Sequence, residues 1–256
     1  MRVTVLGSGT SSGVPQVGCD CAVCRSADPR DRRTRCSVLV STGGGDVLID
    51  TATDLRAQSL ALGLRKVDAV LYTHHHADHV HGIDDLRAFN FVMRRAIPLH
   101  GPPWMMDFLR ARYDYLFTDV QAGGGKPQVS LHPVTGAFEL CGRTWRLIDV
   151  FHGDLAIAAY RVGGFACLTD VSRIPDGSWE FLQGLDVLIL GALRDEPHPT
   201  HFTVAQALDV IARLAPRRAY LTHLCHKLGH ASLAARLPAG VEPAYDGLAI
   251  DVGNDE

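Results

Sequence analysis

The heptapeptide THHHADH at positions 73–79 directly follows the apolar run DAVLY at 68–72. The run has the length and composition of a buried β-strand, so the heptapeptide is expected to begin at that strand's carboxyl end. Open sheets place their ligand sites at such strand ends. Four side chains of the heptapeptide, in the pattern His-x-His-x-Asp-His, are of metal-ligand type. The stretch therefore predicts a metal centre at one edge of a β-sheet.

Alternate residues of an extended segment point to the same side, so His74 and His76 can share one metal ion. Asp78 and His79 begin the following turn and can bind a second ion. Imidazole and carboxylate ligands suit zinc, manganese or iron. We predict that His75, like His81 further on, faces away from both ions.

Two metal ions need more ligands than this stretch offers, and three other strand-like runs end at a suitable residue. His152 follows TWRLIDVF, Asp170 follows FACLT, and His223 follows RAYLT. Strand packing can bring all three to one edge. The predicted ligands are His74, His76 and His152 for one ion and Asp78, His79 and His223 for the other, with Asp170 bridging.

Other residues near strand ends leave alternatives open. Asp50, at the end of the run DVLID, could hydrogen-bond a ligand histidine or cap the helix predicted at 54–63. His100, His132 and His230 are expected to be surface or capping residues.

Short apolar runs and helical periodicities predict the architecture. Early strands cluster before any long helix and later strands alternate with helices, which indicates two sheets with helices outside them in one domain, residues 1–256. The predicted strands are 2–7, 36–41, 46–50, 68–72, 144–151, 156–163, 165–169, 186–190, 218–222 and 248–252. The predicted helices are 54–63, 83–92, 103–113, 203–214 and 230–237, with Thr203 as an N-cap.

These ligands and their order resemble the signature of the metallo-β-lactamase superfamily over nearly the whole chain. The resemblance implies an αββα sandwich, an α/β or α+β fold of two mixed sheets flanked by helices, with a dinuclear site along one edge. The resemblance gives little information about the substrate, because proteins with this fold include lactamases, thioesterases, lactonases, nucleases and phosphodiesterases.

A second cluster of ligand-type residues lies in the Gly/Ser-rich loop at about 8–35. Cys19, Cys21 and Cys24 can occupy three corners of a zinc tetrahedron. His226 is the best candidate for the fourth ligand, and Cys225 is the alternative. A structural zinc would explain how so long a loop is ordered.

This loop resembles the N-terminal region of the phosphodiesterases of bacterial carbon–phosphorus lyase pathways, which open phosphoribosyl cyclic phosphates. In that family three Cys and a His after the last metal ligand bind a structural zinc, which corresponds to Cys19, Cys21, Cys24 and His226. The pyrroloquinoline quinone biosynthesis B proteins have a similar loop but are longer. Classical β-lactamases lack the loop.

The resemblance implies hydrolysis of a small, cyclic phosphodiester by a hydroxide that bridges two divalent ions. His201, just before the helix at 203–214, corresponds to the residue treated as general acid in that family. His198 is the competing candidate. His201 and Asp78 are the predicted catalytic residues.

Composition narrows the partners further. A net charge of −3 over 256 residues makes long nucleic acid an unlikely substrate. No signal peptide or membrane span is visible, so we expect a cytoplasmic protein without a membrane partner, and a homodimer is possible. The alternatives are a lactonase, a thioesterase, an RNA-processing nuclease or a non-catalytic cofactor-biosynthesis binding protein. A loop at 119–128 is expected near the mouth of the site.

Overall fold

Two seven-stranded β-sheets pack face to face in the computed structural model, which describes residues 1–118 and 125–253. The strands of the first sheet are β1 (Arg2–Gly7), β2 (Ser37–Thr42), β3 (Gly45–Ile49), β4 (Ala69–Leu71), β5 (Ile97–Gly101) and β6 (Val129–Pro133), with the late strand β14 (Ala249–Asp251). The strands of the second sheet are β7 (Ala137–Leu140), β8 (Arg143–His152), β9 (Leu155–Val162), β10 (Phe165–Leu168), β11 (Val187–Gly191), β12 (Arg218–Thr222) and β13 (Val241–Pro243).

Six α-helices accompany these strands in the described part of the chain. They are α1 (Leu55–Leu62), α2 (Ala77–Val80), α3 (Leu86–Met93), α4 (Pro103–Arg112), α5 (Val204–Leu214) and α6 (His230–Ala234). Helix α5 begins with a reciprocal cap: the Thr203 side chain accepts from the Gln206 amide, and the Gln206 side chain accepts from the Thr203 amide. The predicted N-cap at Thr203 is confirmed.

Both sheets are mixed. The first sheet has the order β14-β1-β2-β3-β4-β5-β6, and β3 to β6 are parallel. The second has the order β13-β12-β11-β10-β9-β8-β7, and β10 to β13 are parallel. Strand β9 is antiparallel to both β8 and β10. Strands β8 and β10 therefore run in the same direction, which brings their carboxyl ends to the same edge of the sheet.

The side chains of each strand alternate between two cores. On β2, Val38 and Val40 enter the core between the sheets, whereas Leu39 lies in the core beneath the helices of the first sheet. On β11, Ile189 packs between the sheets and Leu190 packs towards α5. Each sheet is therefore covered on both faces, which confirms the predicted αββα sandwich.

The predicted elements are present, with small shifts at their ends. All ten predicted strands and all five predicted helices occur. Strands β5, β6, β7 and β13 and the four-residue helix α2 were not predicted from the sequence. The first six residues of the loop predicted at 119–128 lie outside the described residues. No helix among the described residues is long and apolar enough to cross a membrane.

Candidate metal centre

The predicted ligands lie at the carboxyl ends of strands from both sheets. Strand β4 leads into the 73–79 heptapeptide, whose last residues start α2. His152 is the last residue of β8, Asp170 lies two residues after β10, and His223 follows β12 directly. Because β8, β10 and β12 run in one direction, they deliver these three side chains to the edge at which β4 ends.

Two groups of ligand atoms form at this edge. The ligand atoms within each group lie within 4.8 Å of one another. One group is His74, His76 and His152; the other is Asp78, His79, Asp170 and His223.

Asp170 connects the two groups. Its Oδ1 lies 3.3 Å from His79 Nε2, and its Oδ2 lies 3.2 Å from His223 Nε2. The same Oδ2 is 3.9 Å from Nε2 of His74, in the other group. The structure thus brings together all seven predicted ligands, with the carboxylate of Asp170 between the two sets of imidazoles. This is the place required of a bridging ligand.

A buried network orients two of the imidazoles. Asp50 Oδ2 lies 2.7 Å from His79 Nδ1 and accepts from the Thr73 hydroxyl, also at 2.7 Å. Because that hydroxyl proton points to Asp50, the hydroxyl oxygen can accept from His74 Nδ1, 2.9 Å away. Both imidazoles thereby present Nε2 to the centre. Asp50 hydrogen-bonds His79, a predicted ligand, which is the first of its two predicted roles, whereas Asp54 occupies the N-cap of α1.

Two further predicted ligands are held in the same way. His152 Nδ1 donates to the carbonyl oxygen of Thr200 at 2.7 Å, which leaves Nε2 for the centre. The Thr169 hydroxyl donates to Asp170 Oδ1 at 2.6 Å. Neither Thr200 nor Thr169 was predicted from the sequence to have a role at the centre. A backbone acceptor leaves no signature in the sequence.

The electrostatics of the centre favour ligand-competent protonation states. Burial, together with His79, lowers the pKa of His74 well below its ordinary value, so its imidazole is neutral and has a free lone pair. Burial alone would raise the pKa of Asp170, but His223 and His79 outweigh burial and lower it well below the ordinary value. His79 is the exception. Burial opposes its charged form, yet Asp170 and Asp50 raise its pKa.

The donor set fits divalent metal ions. The Nε2 atoms of His74 and His223 are buried and make no hydrogen bond in the structure. A buried nitrogen without a partner costs free energy, and a metal ion removes that cost. Nitrogen and carboxylate donors in these numbers are typical of zinc, manganese and iron sites. The cluster is therefore able to bind divalent metal.

His201 lies against the same centre. The ring centroid of His201 is 4.5 Å from that of His152. The His201 ring stacks on the ring of His223, with 4.8 Å between the two centroids. Its ligand atom also groups with those of His152 and Asp170 within 4.8 Å. Burial, and after it His223, lowers the pKa of His201 to about 3. His198 lies further from the centre, and its ring centroid is 5.0 Å from that of His201.

The three cysteines of the N-terminal loop meet His226. The four ligand atoms of Cys19, Cys21, Cys24 and His226 lie within 4.8 Å of one another. His226 Nδ1 is 3.1 Å from Cys19 Sγ and 3.5 Å from Cys21 Sγ. A hydrogen bond from the Cys24 amide lowers the pKa of Cys21 to about 6, which favours a thiolate. Cys225, the alternative ligand, is outside this group, and its sulfur accepts from the Lys227 amide.

Two carboxylates, the partly buried Asp246 and the buried Asp31, hold the ends of the same loop. Asp246 accepts from the amides and the hydroxyls of both Ser8 and Thr34. Asp31 pairs with the fully buried Arg33 at 3.1 Å and accepts from the His230 amide at 2.7 Å. Neither carboxylate was predicted from the sequence, because an isolated Asp in a polar stretch gives no indication of its partners.

The remaining histidines are placed partly as expected. His75 packs against Trp104 and Phe108, which agrees with the prediction that it faces away from the metals. The expectation for His100 and His230 was wrong: both are buried. His100 stacks on His132 because their strands are paired neighbours.

Comparison with known proteins identifies the family. The family model described as a beta-lactamase superfamily domain matches residues 46–224, which include all seven predicted dinuclear-site ligands. The chain belongs to the metallo-β-lactamase superfamily. The superfamily membership and the buried His/Asp cluster together support a metal-dependent hydrolase.

Three relatives of this superfamily member are informative. A solved diphosphatase of the PhnP family is 44% identical, covers 98% of both chains and superposes with a TM-score of 0.91. The coenzyme PQQ synthesis protein B of Methylobacterium radiotolerans is 41% identical to this chain. The alignment covers 74% of this chain and 72% of the length of that protein. A Porphyromonas gingivalis protein named octanoyltransferase is 39% identical over 97% of this chain, which spans about half (51%) of that relative's length.

Proposed function

We propose that this chain is a two-metal phosphodiesterase that hydrolyses a small, cyclic phosphodiester. The observation that carries the proposal is the position of Asp170 between two sets of imidazoles, with the His201 ring beside it. Hydrolysis of a phosphodiester needs stabilisation of charge on the phosphate and a proton for the departing oxygen. The site has residues for both requirements.

Each protein group has a distinct part in the proposed reaction. One ion would be held by His74, His76 and His152. The other ion would be held by Asp78, His79 and His223. Asp170 would bind both ions. A bound metal pair would supply Lewis acidity, which neutralises charge on phosphate oxygens and lowers the pKa of water. Asp50 and Thr200 would keep His79 and His152 in the tautomers that ligation requires.

His201 is proposed to handle the proton. When the ester P–O bond breaks, the departing oxygen takes the proton from the imidazolium of His201, which returns to the neutral form. Burial favours that neutral form, whereas the negative charge of a bound phosphodiester beside the ring favours the protonated one. His198 remains the second candidate for this step.

The similarity to a PhnP-family diphosphatase favours one other function, hydrolysis of a diphosphate. The chemistry at phosphorus is the same, and the bond that breaks is an anhydride. Because the phosphate that departs when a diphosphate is cleaved is a much weaker base than an alkoxide, such a reaction depends less on a proton donor. The two functions therefore predict different effects of removing His201.

A substrate panel tests the proposal. The reconstituted protein is assayed on adenosine 2′,3′-cyclic phosphate, bis(p-nitrophenyl) phosphate, ADP-ribose, a lactone and octanoyl-CoA. We expect the highest kcat/KM on the cyclic phosphodiester, loss of that activity in Asp170→Asn, and its retention in His132→Gln, a histidine outside the centre. Turnover of the thioester or lactone without any diester would contradict the proposal.

A further inference from the structure

Residues 223–226, which follow β12 directly, contain predicted ligands of both candidate metal sites. The segment begins at His223 of the buried centre and ends at His226 of the cysteine group. Only Leu224 and Cys225 separate the two histidines. Their Cα atoms are therefore at most about 11 Å apart. We call residues 223–226 the connecting segment, and we name three groups of ligands: the cysteine cluster (Cys19, Cys21, Cys24 and His226), the Asp78 subsite (Asp78, His79 and His223) and the His74 subsite (His74, His76 and His152).

The N-terminal loop that supplies the three cysteines also holds the connecting segment. The Leu224 amide donates to the carbonyl oxygen of Ser8 at 3.0 Å, and the Leu224 carbonyl oxygen accepts from the Thr10 amide at 3.3 Å. One residue further on, Nη1 of the buried Arg33 donates to the carbonyl oxygen of Cys225, also at 3.3 Å. Three hydrogen bonds from one loop thus hold the two residues between the histidines. A displacement of the loop backbone therefore displaces this segment.

His223 differs from the other three buried imidazoles of the centre in what fixes its ring. The imidazoles of His74, His79 and His152 each have an oxygen within 2.9 Å of Nδ1. In the described chain, Nδ1 of His223 is buried and makes no hydrogen bond. The ring stacks on that of His201, but stacking does not fix the rotation of a ring in its own plane. The direction of His223 Nε2 therefore depends mainly on the backbone of the connecting segment.

We propose that metal binding by the cysteine cluster positions His223 and thereby raises the affinity of the Asp78 subsite for its ion. An ion in the cluster ties His226 to the three cysteines, and so ties the connecting segment to the loop. This favours the segment conformation in which His223 Nε2 lies 3.6 Å from Asp78 Oδ2 and 3.2 Å from Asp170 Oδ2. Without that ion, the segment has other conformations available, and the Asp78 subsite loses its third ligand in them.

The His74 subsite lies outside this coupling. Two of its ligands come from the heptapeptide after β4 and one from the end of β8. Oxygens of Thr73 and Thr200 orient His74 and His152, and neither threonine belongs to the connecting segment or to the N-terminal loop. The cysteine cluster should therefore affect one subsite of the centre and leave the other unchanged. Because coupling between two binding sites is reciprocal, an ion at the Asp78 subsite should raise the affinity of the cluster by the same factor.

Manganese titrations of the metal-free protein, with and without one equivalent of zinc, test the coupling. Thiolates select zinc, whereas manganese prefers oxygen-rich sites, so zinc fills the cluster and Mn²⁺ fills the centre. Loss of thiol reactivity confirms that zinc has bound to the cysteines. The electron paramagnetic resonance signal of free Mn²⁺ then gives the dissociation constants of the two subsites. Zinc should lower one constant about tenfold and change the other less than about twofold.

Variants assign the effect to residues. Cys19→Ser and Cys21→Ser each replace one sulfur of the cluster and should abolish the effect of zinc. Cys141→Ser, a turn thiol outside the cluster, is the matched control and should retain it. His223→Gln should leave one measurable manganese constant that zinc changes less than about twofold. His76→Gln, which weakens the His74 subsite, should retain the effect of about tenfold.

Equal effects of zinc on both manganese constants would overturn the assignment, because that pattern indicates general stabilisation of the fold. So would the absence of any effect, an effect that persists in His223→Gln, or a zinc affinity of the cluster that is the same with and without bound Mn²⁺.

The inference rests on the two-metal centre of the proposed function, and the titrations use no substrate. If the protein hydrolyses no phosphodiester but zinc lowers one manganese constant, the proposed activity fails and the coupling stands. If Mn²⁺ binds at neither subsite, both fail.

Discussion

A backbone in the left-handed region marks three residues of the candidate centre. Asp50, Asp170 and His223 have φ values of 61°, 53° and 58°. Residues other than glycine rarely adopt this conformation, which costs on the order of 1–2 kcal/mol each. All three come just after strand ends, where the chain turns sharply and directs a side chain into the sheet edge. The sequence shows which residue types stand at these ends but not the torsion that orients them.

At the residue scale, His201 gives the sharpest kinetic prediction. His201→Ala should lower kcat on an alkyl phosphodiester about 10²–10⁴-fold, because a poor leaving group needs its proton in the transition state. The effect on bis(p-nitrophenyl) phosphate should be far smaller, since p-nitrophenolate leaves unprotonated. Steady-state kinetics on both esters give the comparison. Equal losses on the two esters would remove the general-acid role, and the same pattern in His198→Ala instead would transfer that role to His198.

His100 gives a prediction about pH and stability. Burial, together with His132, lowers the pKa of His100 to about 4, against about 6.5 in an unfolded chain. Between these values the unfolded state binds more protons, so the free energy of unfolding falls as the pH falls through this window. His100→Phe keeps a ring between His132 and Phe138 and removes this titration.

Urea unfolding of both proteins at pH 7.5 and pH 5 measures the effect. From pH 7.5 to pH 5, wild type should lose about 2 kcal/mol more free energy of unfolding than His100→Phe. The predicted metal ligands titrate in the same way in both proteins, so their contribution cancels in the comparison. The same pH dependence in both would show that His100 is not the titrating group.

At the scale of elements, the predicted and missed strands differ in burial. Strands such as β4 and β11 are buried throughout and have continuous apolar sequences, so local composition identifies them. Strands β6 and β7 are half exposed, β5 contains Pro98, and β13 has three residues. Their pairing comes from neighbouring strands, which a local pattern does not contain.

The N-terminal loop is the element with the clearest test, and we propose that a zinc ion fixes it. Cys21→Ser should lose one metal equivalent, and trypsin should cut at Arg25 or Arg30 about tenfold faster, which corresponds to about 1.4 kcal/mol of easier local opening. Cys141→Ser, a turn thiol outside the group, is the control. Full metal content and unchanged cleavage in Cys21→Ser would show that the thiols do not bind zinc.

At the scale of the whole molecule, the centre exists because two sheets meet. The heptapeptide that follows β4 supplies four of the predicted ligands, and the ends of β8, β10 and β12 supply the other three. The spacing within THHHADH indicates a metal motif from sequence alone. The later predicted ligands could also be found from the sequence, because each one follows a predicted strand. The support from Thr200 depends on how distant loops pack, and it does not follow from a local pattern.

The most direct test is anomalous diffraction from crystals of the protein reconstituted with zinc or manganese. We predict two strong peaks about 3.5–4 Å apart on either side of the Asp170 carboxylate. One should lie among His74, His76 and His152, and the other among Asp78, His79 and His223. A third peak should lie among Cys19, Cys21, Cys24 and His226. No anomalous peak within ligand distance of Asp170 would contradict the two-metal centre, and the proposed function with it.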